Sequence, residues 1–211
     1  MKKKLTFVSV DDHFVITKYM SLLLKDLYKN SEIHTFNSLK GITKFVDNNP
    51  IDLIILDISF SEDNAINYIS KFKTLQPNVK ILIFSGLDEN FYAMRCLQEG
   101  ANGYLSKLST EDEIKNAIKE VLIHSKYLSK NLHEKIFDNF IFKRSLNPFD
   151  QLTSREFEIT QLLVKGLGNI EICNILNIKK STVSTYKNNI FEKLNVNNIS
   201  ELITIFNLYN S

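Results

Sequence analysis

The chain has 211 residues, of which 44% are hydrophobic and 24% charged, and its formal net charge is +2 at pH 7. This composition is ordinary for a soluble globular protein of one or two domains, and the small charge is no mark of a strongly basic nucleic-acid binder. The sequence has no apolar run long enough for a membrane helix. Charge is nevertheless uneven: residues 1–125 hold 15 Lys and Arg against 16 Asp and Glu, whereas residues 126–211 hold 11 against 8.

The first residues, Met1 and three lysines, look like the start of a signal peptide. The apolar stretch that follows, LTFVSV, is short and runs into Asp11 and Asp12, so no signal-peptide core develops. We interpret it as a buried strand and expect a cytoplasmic protein. The cysteines, Cys96 and Cys173, lie far apart in sequence, and we expect both to be small buried side chains.

Residues 1–124 alternate apolar strands with amphipathic helices. The predicted strands are Leu5–Val10, Glu32–Phe36, Leu53–Asp57, Ile81–Ser85 and Gly103–Leu105. Helices are predicted near 14–29, 38–48, 65–76, 89–99 and 110–124. The last of these begins with a capping box, from Thr110 to Glu113. Five βα repeats, with nearly continuous apolar runs in the third and fourth strands, predict an α/β domain with a flavodoxin-like, doubly wound, five-stranded parallel sheet.

The pattern changes after residue 124. We interpret 125–150 as a linker with a short helix near Asn131–Phe142, and Pro148 stops any helix there. From 151 to 211 the sequence predicts a separate all-α domain, which opens on a second capping box at Thr153. Its helices are predicted near 153–165, 169–176, 181–194 and 198–209.

Polar residues follow four of the five predicted strands. Asp11 and Asp12 end the first strand, Asp57 the third and Ser85 the fourth, and Lys107 follows the fifth. The carboxyl ends of parallel strands meet at one edge, so these side chains should converge. Three carboxylates there would repel one another without a cation, and hard oxygen ligands with open positions suit Mg²⁺.

Such a site would make Asp57 a candidate nucleophile that forms an acyl phosphate. The ion, Lys107 and Ser85 would neutralise charge on the transferred group. Taken one at a time, these residues have simpler interpretations, because a lone Asp usually caps a turn and a lone Lys or Ser is usually solvated surface. It is their joint placement that favours a reactive site.

Residues 1–124 resemble the receiver domain of two-component response regulators in the stretches VSVDDH, PIDLIILD, LIFSG and GANGYLSK. The resemblance implies that Asp57 is the phosphoacceptor and that Asp11, Asp12, Asp57 and the backbone of Ser59 hold Mg²⁺. It also implies that Ser85 and Lys107 contact the phosphate. Tyr104 matches the family's aromatic switch, although a half-buried strand aromatic would look the same.

The sequence departs from the receiver pattern in two loops. Phe60-Ser61 and Ala65 stand where the family usually has a Met-Pro pair and a Gly, and Leu108 stands where a Pro often follows the lysine. We expect these changes to alter loop geometry or phosphate lifetime without removing a reactive group. His13, next to Asp12, is interpreted as positional rather than catalytic.

The stretches LTSRE, GLGNIEI and STVSTYKNNIFEKL resemble the helix-turn-helix domain of the NarL/FixJ (LuxR-type) family. The helix near 181–194, with Ser181 as its N-cap, would then be the recognition helix that enters the major groove. Apolar residues of the two helices should face inward: Ile170, Ile172, Ile175 and Leu176 from the scaffold helix, and Val183, Ile190 and Leu194 from the recognition helix.

The candidates for DNA contact lie at the start and on the outward side of this helix: Lys179, Lys180, Thr182, Ser184, Thr185, Tyr186, Lys187 and Asn188. Ser184, Thr185 and Asn188 suit base edges, and the three lysines suit phosphates. Tyr186 replaces a His common in the family. Any solvated helix would carry similar polar residues. The last helix offers candidates for a homodimer contact: Leu202, Ile205, Phe206 and Tyr209.

These features together predict a DNA-binding transcriptional regulator rather than an enzyme, one that catalyses only its own phosphorylation and dephosphorylation. A sensor histidine kinase would phosphorylate Asp57, Ser85 would move toward the phosphoryl group and Tyr104 would turn inward. That change would control homodimerisation and binding to double-stranded promoter DNA, with no membrane involved. Two alternatives stay open: a phosphorylation-independent regulator with a relict receiver, and a Mg²⁺-dependent phosphohydrolase. Such hydrolases often have a second Asp where Ser59 stands.

Overall fold

The computed structural model describes residues 4–60, 65–141 and 147–210. Three parts of the sequence-based predictions therefore lie outside the described residues: residues 1–3 of the charged N-terminus, Ser61 of the altered loop, and residues 142–146, which cover the end of the predicted short helix and part of the predicted linker. The chain divides into two compact units, Met1–Glu134 and Lys135–Ser211.

The first unit alternates strands and helices as predicted. In chain order its elements are β1 Leu5–Val10, α1 Phe14–Leu27, β2 Ser31–Phe36, α2 Leu39–Asn48, β3 Leu53–Leu56, α3 Ile66–Leu75, β4 Lys80–Ser85, α4 Glu89–Gln98, β5 Gly103–Ser106 and α5 Glu111–His124. The next helix, α6 Lys130–Ile141, spans the boundary between the two units.

The five strands form one parallel sheet in the order β2-β1-β3-β4-β5. This is the doubly wound order in which the chain starts near the middle and reverses direction beside β1 and β3. The predicted fold class is confirmed. The reversal brings the ends of β1 and β3 together, and this is the edge at which Asp11 and Asp57 lie.

Both faces of the sheet are covered, as the apolar runs in β3 and β4 predict. Leu53 and Ile55 of β3 pack into a core cluster with buried residues of α1 and α5. The alternation of a strand turns Ile54 and Leu56, also buried, to the opposite face. Burying these side chains stabilises the sheet by roughly 2 kcal/mol per residue.

The second unit is helical among its described residues. A short 3-10 helix, Pro148–Gln151, precedes α7 Ser154–Val164, α8 Asn169–Leu176, α9 Lys180–Leu194 and α10 Ile199–Asn210. The capping box at Thr153 forms: its hydroxyl accepts from the Glu156 N–H, and the Glu156 carboxylate accepts from the Thr153 N–H at 2.8 Å. The box at Thr110 forms in the same way at the start of α5.

Two details of the predicted helix-turn-helix are wrong. Ser181 is not the N-cap of α9, because Lys179 has the extended backbone of a cap and accepts the first helical bond from the Val183 N–H. Ile170 and Ile175 do not face inward, being 64% and 57% exposed. The remaining inward residues were predicted correctly: Ile172, Val183, Ile190 and Leu194 are buried, and Leu176 is half-buried.

Candidate functional site

The carboxyl edge of the sheet gathers an acidic pocket around one lysine. Asp11 follows β1, Asp57 follows β3 and Lys107 follows β5. The Lys107 Nζ lies 2.6 Å from the Asp11 Oδ2 and 2.7 Å from the Asp57 Oδ2. The sequence predicted Mg²⁺ among the three carboxylates, which stays a prediction, whereas the Lys107 ammonium bridges two of them, Asp11 and Asp57.

Both bridged carboxylates are buried, Asp57 at 1% and Asp11 at 2% exposure. Burial by itself raises the pKa of Asp57, but the Lys107 ammonium and the Ser59 N–H, which donates to Asp57 Oδ1 at 3.0 Å, outweigh it and hold that pKa below its usual value. Conversely, burial lowers the pKa of Lys107, and the two carboxylates raise it above its usual value. At neutral pH the pair is therefore charged, and Asp57 is an anionic carboxylate.

The solvent side of the pocket is formed by Asp12 and His13. Asp12 is exposed, and the His13 Nδ1 lies 2.8 Å from its Oδ1 and 3.1 Å from the Asp11 Oδ1. One ligand atom from each of Asp11, Asp12, His13 and Asp57 falls within a 4.8 Å group. This donor set, mainly carboxylate oxygens, fits a divalent cation. Sequence reasoning left His13 out of the site, although its place next to Asp12 was the available signal.

The two predicted switch residues both lie inside the domain. Ser85 is buried, and its Oγ is 2.8 Å from the Ser59 Oγ. Tyr104 is fully buried, and its hydroxyl donates to the Leu87 carbonyl at 2.8 Å. Burial raises the pKa of Tyr104, which leaves the phenol protonated and able to donate. Tyr104 is therefore not the half-buried strand aromatic of the simpler interpretation, and its role as a switch stays a prediction.

The altered loops are partly described. Ala65 is buried directly before α3, whereas Leu108, beside Lys107, is 92% exposed. With Leu108 at this position, Lys107 contacts both carboxylates.

In the second unit, the outward side of α9 carries the candidates for DNA contact. Lys179, Lys180, Thr185 and Asn188 are exposed, and Thr182, Ser184, Tyr186 and Lys187 are half-buried. The Ser184 hydroxyl donates to the Lys180 carbonyl at 3.1 Å and accepts from the Asn169 Nδ2 at 3.4 Å. The Lys187 Nζ lies 5.4 Å from the centre of the Phe191 ring.

Two of the candidate dimer residues lie in the core of their own domain. Leu202 is 0% and Ile205 is 1% exposed, which corrects the expectation that they face a partner. Phe206 and Tyr209 are half-buried, and their rings lie 5.4 Å and 6.4 Å from the ring of Phe149. The stripe on α10 thus mainly closes the helix-turn-helix core.

An ion pair that the sequence did not reveal joins α7 to α9. The Lys193 Nζ lies 2.7 Å from the Glu156 Oε2, and Glu156 is 3% exposed. Burial raises the pKa of Glu156, but Lys193 and the Thr153 cap outweigh it and hold that pKa below its ordinary value of 4.5. The pair therefore stabilises the domain above that ordinary value, and the stabilisation is lost as pH falls through the lower, folded-state pKa.

We expect Glu156→Gln to destabilise the second domain by about 2 kcal/mol at pH 7, because it leaves Lys193 and the Thr153 cap without their carboxylate. The difference from wild type should shrink as pH falls below 4.5. Urea unfolding at several pH values measures this difference in the free energy of unfolding. The matched control is Glu158→Gln, which breaks the exposed Arg155 pair on the same helix and should cost under about 0.5 kcal/mol. Equal losses for both variants would contradict the assignment.

Both parts of the chain match known protein families. The response regulator receiver domain matches residues 7–119, more than half of the 211 residues, and the luxR family of bacterial regulatory proteins matches residues 150–206. This chain is a LuxR-family response regulator. It is therefore a DNA-binding transcription regulator with a receiver domain, and the family gives no support to the phosphohydrolase alternative.

Relatives align with the regulator along nearly its full length. It is 32% identical over 210 residues to the Fimbriae Z protein of Escherichia coli (strain K12), covering 98% of both chains. It is 29% identical over 205 residues to the oxygen regulatory protein NreC of Staphylococcus epidermidis, covering 93% of this chain and 94% of NreC.

A solved structure of RcsB from Salmonella enterica serovar Typhimurium, bound to a promoter in the presence of the phosphomimetic BeF3−, shares the fold. Its TM-score is 0.78 at 17% identity, over 98% of this chain and 99% of that chain. Among the described residues, no helix of the regulator has the length and apolar character needed to cross a membrane.

Proposed function

We propose that the regulator accepts a phosphoryl group on Asp57 from a partner sensor histidine kinase and that this event controls promoter binding. The observation that carries the proposal is the buried, ionised Asp57 carboxylate bonded to the Lys107 ammonium at 2.7 Å. A structural ion pair alone would not require carboxylate oxygens of Asp11, Asp12 and Asp57 to lie within 4.8 Å of one another.

In the transfer step, an Asp57 carboxylate oxygen attacks the phosphorus of a phosphohistidine. The new O–P bond forms as the P–N bond breaks, and the electron pair of that bond stays with the imidazole nitrogen. Lys107 is placed to bond a phosphoryl oxygen. Asp11, Asp12, Asp57 and the backbone of Ser59 would hold Mg²⁺, which when bound neutralises charge on the phosphoryl oxygens.

Ser85 is the side chain best placed to respond to phosphorylation of Asp57. Its hydroxyl is held by Ser59 at 2.8 Å, and a phosphoryl group on Asp57 would compete for it as a stronger, charged acceptor. Phosphorylation thereby strengthens the attraction that already draws the Ser85 hydroxyl toward Asp57, and biases the receiver between two states.

The response we propose is homodimerisation, followed by binding of α9 to double-stranded promoter DNA. Both would take place in the cytoplasm. Residues 1–124 form the receiver, 125–150 the linker and 151–211 the DNA-binding domain. The exposed Lys180 and Asn188 on one helix support this role of α9. Two-fold symmetry would require two related half-sites about one helical turn apart.

Phosphorylation of Asp57 is tested with acetyl phosphate and Mg²⁺. Wild-type protein should gain one phosphoryl group, seen by intact mass spectrometry, and Asp57→Asn should gain none because the carboxylate nucleophile is lost. The matched control is Asp47→Asn, an exposed aspartate on α2, which should label as wild type does. Full labelling of Asp57→Asn would overturn the proposal and favour a relict receiver.

A further inference from the structure

The two predicted switch residues hold the same backbone unit. The Ser85 Oγ accepts from the Leu87 N–H at 3.3 Å, and the Tyr104 hydroxyl donates to the Leu87 carbonyl at 2.8 Å. Leu87 lies in the short connection between β4 and α4, which runs from Gly86 to Asp88. The position of this connection therefore depends on where the Ser85 hydroxyl points.

The first residue of α4 holds the start of α6. The Glu89 Oε1 accepts from the Ser129 Oγ at 2.7 Å and from the Asn131 Nδ2 at 3.4 Å. The same Ser129 hydroxyl accepts from the Leu132 N–H at 3.1 Å, and the Ser129 carbonyl accepts from the His133 N–H at 2.9 Å. Ser129 is thus the N-cap of α6, and Glu89 fixes its hydroxyl.

The segment between α5 and α6 has a second anchor, on the sheet itself. The Tyr127 N–H donates to the Asn102 carbonyl at 2.8 Å, and the Asn102 Nδ2 donates to the Ser125 carbonyl at 2.7 Å. Gly103 allows this approach, because a Cβ there would lie 2.8 Å from the Tyr127 carbonyl oxygen. The segment is therefore held at two points. Asn102, directly before β5, holds one, and Glu89, the first residue of α4, holds the other.

We propose that α6 reads the phosphorylation state of Asp57 through the Glu89–Ser129 contact, an inference that rests on the proposed phosphorylation. When Ser85 turns to the phosphoryl group, the Leu87 N–H loses its acceptor, the connection shifts and Glu89 withdraws from Ser129. The cap of α6 weakens and its first turn opens. Because the boundary between the two units falls within α6, this turn is where the receiver can act on the element that leads to the DNA-binding domain.

Hydrogen exchange of the full chain tests the coupling, with and without Mg²⁺ and beryllofluoride as the phosphoryl mimic. Fluorine NMR of bound beryllofluoride reports occupation of the pocket independently. In wild type, beryllofluoride should speed exchange at the α6 amides of Leu132 and His133 roughly fivefold, the effect of one N-cap. Ser129→Ala should exchange fast from the start and gain nothing further. Glu89→Gln, which keeps the shape, should show a reduced response.

Thr110→Ala is the matched control, because it removes the N-cap of α5, where no switch residue is bonded. It should speed exchange in α5 equally with and without beryllofluoride. A bound fluorine signal with unchanged or slower exchange at Leu132 and His133 would overturn the inference and leave the proposed function standing. No bound signal at all would overturn the proposed function and the inference with it.

Discussion

Lys107→Ala is expected to slow phosphorylation of Asp57 by acetyl phosphate roughly a hundredfold, the typical cost of removing one positioned charge from a developing anion. The ammonium lies 2.7 Å from the carboxylate that would carry the phosphoryl group. Intact mass spectrometry over time gives the rate. Lys115→Ala, which removes a half-buried lysine paired with the exposed Glu111 on α5, is the control and should leave the rate unchanged. If Lys107→Ala slows phosphorylation by less than about threefold, the lysine stabilises the fold but does not assist the transfer.

The same change should also destabilise the receiver, because Asp11 and Asp57 are left buried without their shared cation. We expect a second substitution, Asp57→Asn in the Lys107→Ala chain, to recover most of the lost stability, since it removes one of the repelling charges. Mg²⁺ should stabilise Lys107→Ala more than it stabilises wild type, since the metal then replaces the missing positive charge. Thermal unfolding measures all three effects.

The receiver pocket was predictable because strand order and strand ends decide it. Once LIILD and ILIFS are identified as buried strands of a parallel sheet, Asp57 and Ser85 must reach the same edge. What the sequence could not give is the pairing inside the pocket. That Lys107 bridges two carboxylates and that Ser59 holds Ser85 depend on side-chain positions, which strand periodicity leaves undetermined.

Burial of single aromatic and apolar residues was harder to predict. Tyr104 is buried with its hydroxyl bonded to the Leu87 carbonyl, a partner seventeen residues away that no sequence signal indicates. Ile170 and Ile175 are exposed because the eight-residue helix α8 turns another stripe inward, with Ile172 buried and Leu176 half-buried. An apolar residue on so short a helix need not face the core.

The start of α9 shows that residue preferences for the N-cap position do not fix where a helix begins. Ser181 is a preferred N-cap type, yet the helix begins one residue before it, at Lys180, after a lysine cap. The tertiary position of α9 decides the boundary, since Val183 must be buried and the turn from α8 leaves only a few residues. The difference adds one residue, the exposed Lys180, to the start of α9.

Base reading and phosphate binding on α9 should separate by mutation. Asn188→Ala is expected to weaken binding to the cognate site by about 1–3 kcal/mol and to relax preference at one base pair, because the amide can pair with an adenine edge. Asn189→Ala, the adjacent exposed asparagine, is the matched control and should leave preference unchanged. Binding titrations on cognate and scrambled duplexes measure both. An equal loss on the two duplexes for Asn188→Ala would mean that Asn188 does not read bases.

Lys180→Ala should instead weaken cognate and scrambled DNA alike, and lower the slope of log affinity against log salt by about one unit, because one phosphate contact is lost with its released counterion. Lys187 is half-buried and its Nζ lies 5.4 Å from the centre of the Phe191 ring; we expect its ammonium to contact a phosphate as well. Lys187→Ala should therefore lower the slope as well, whereas Lys187→Arg should keep it. Titrations at several salt concentrations decide this, and an unchanged slope for Lys187→Ala would make it a solvated surface lysine.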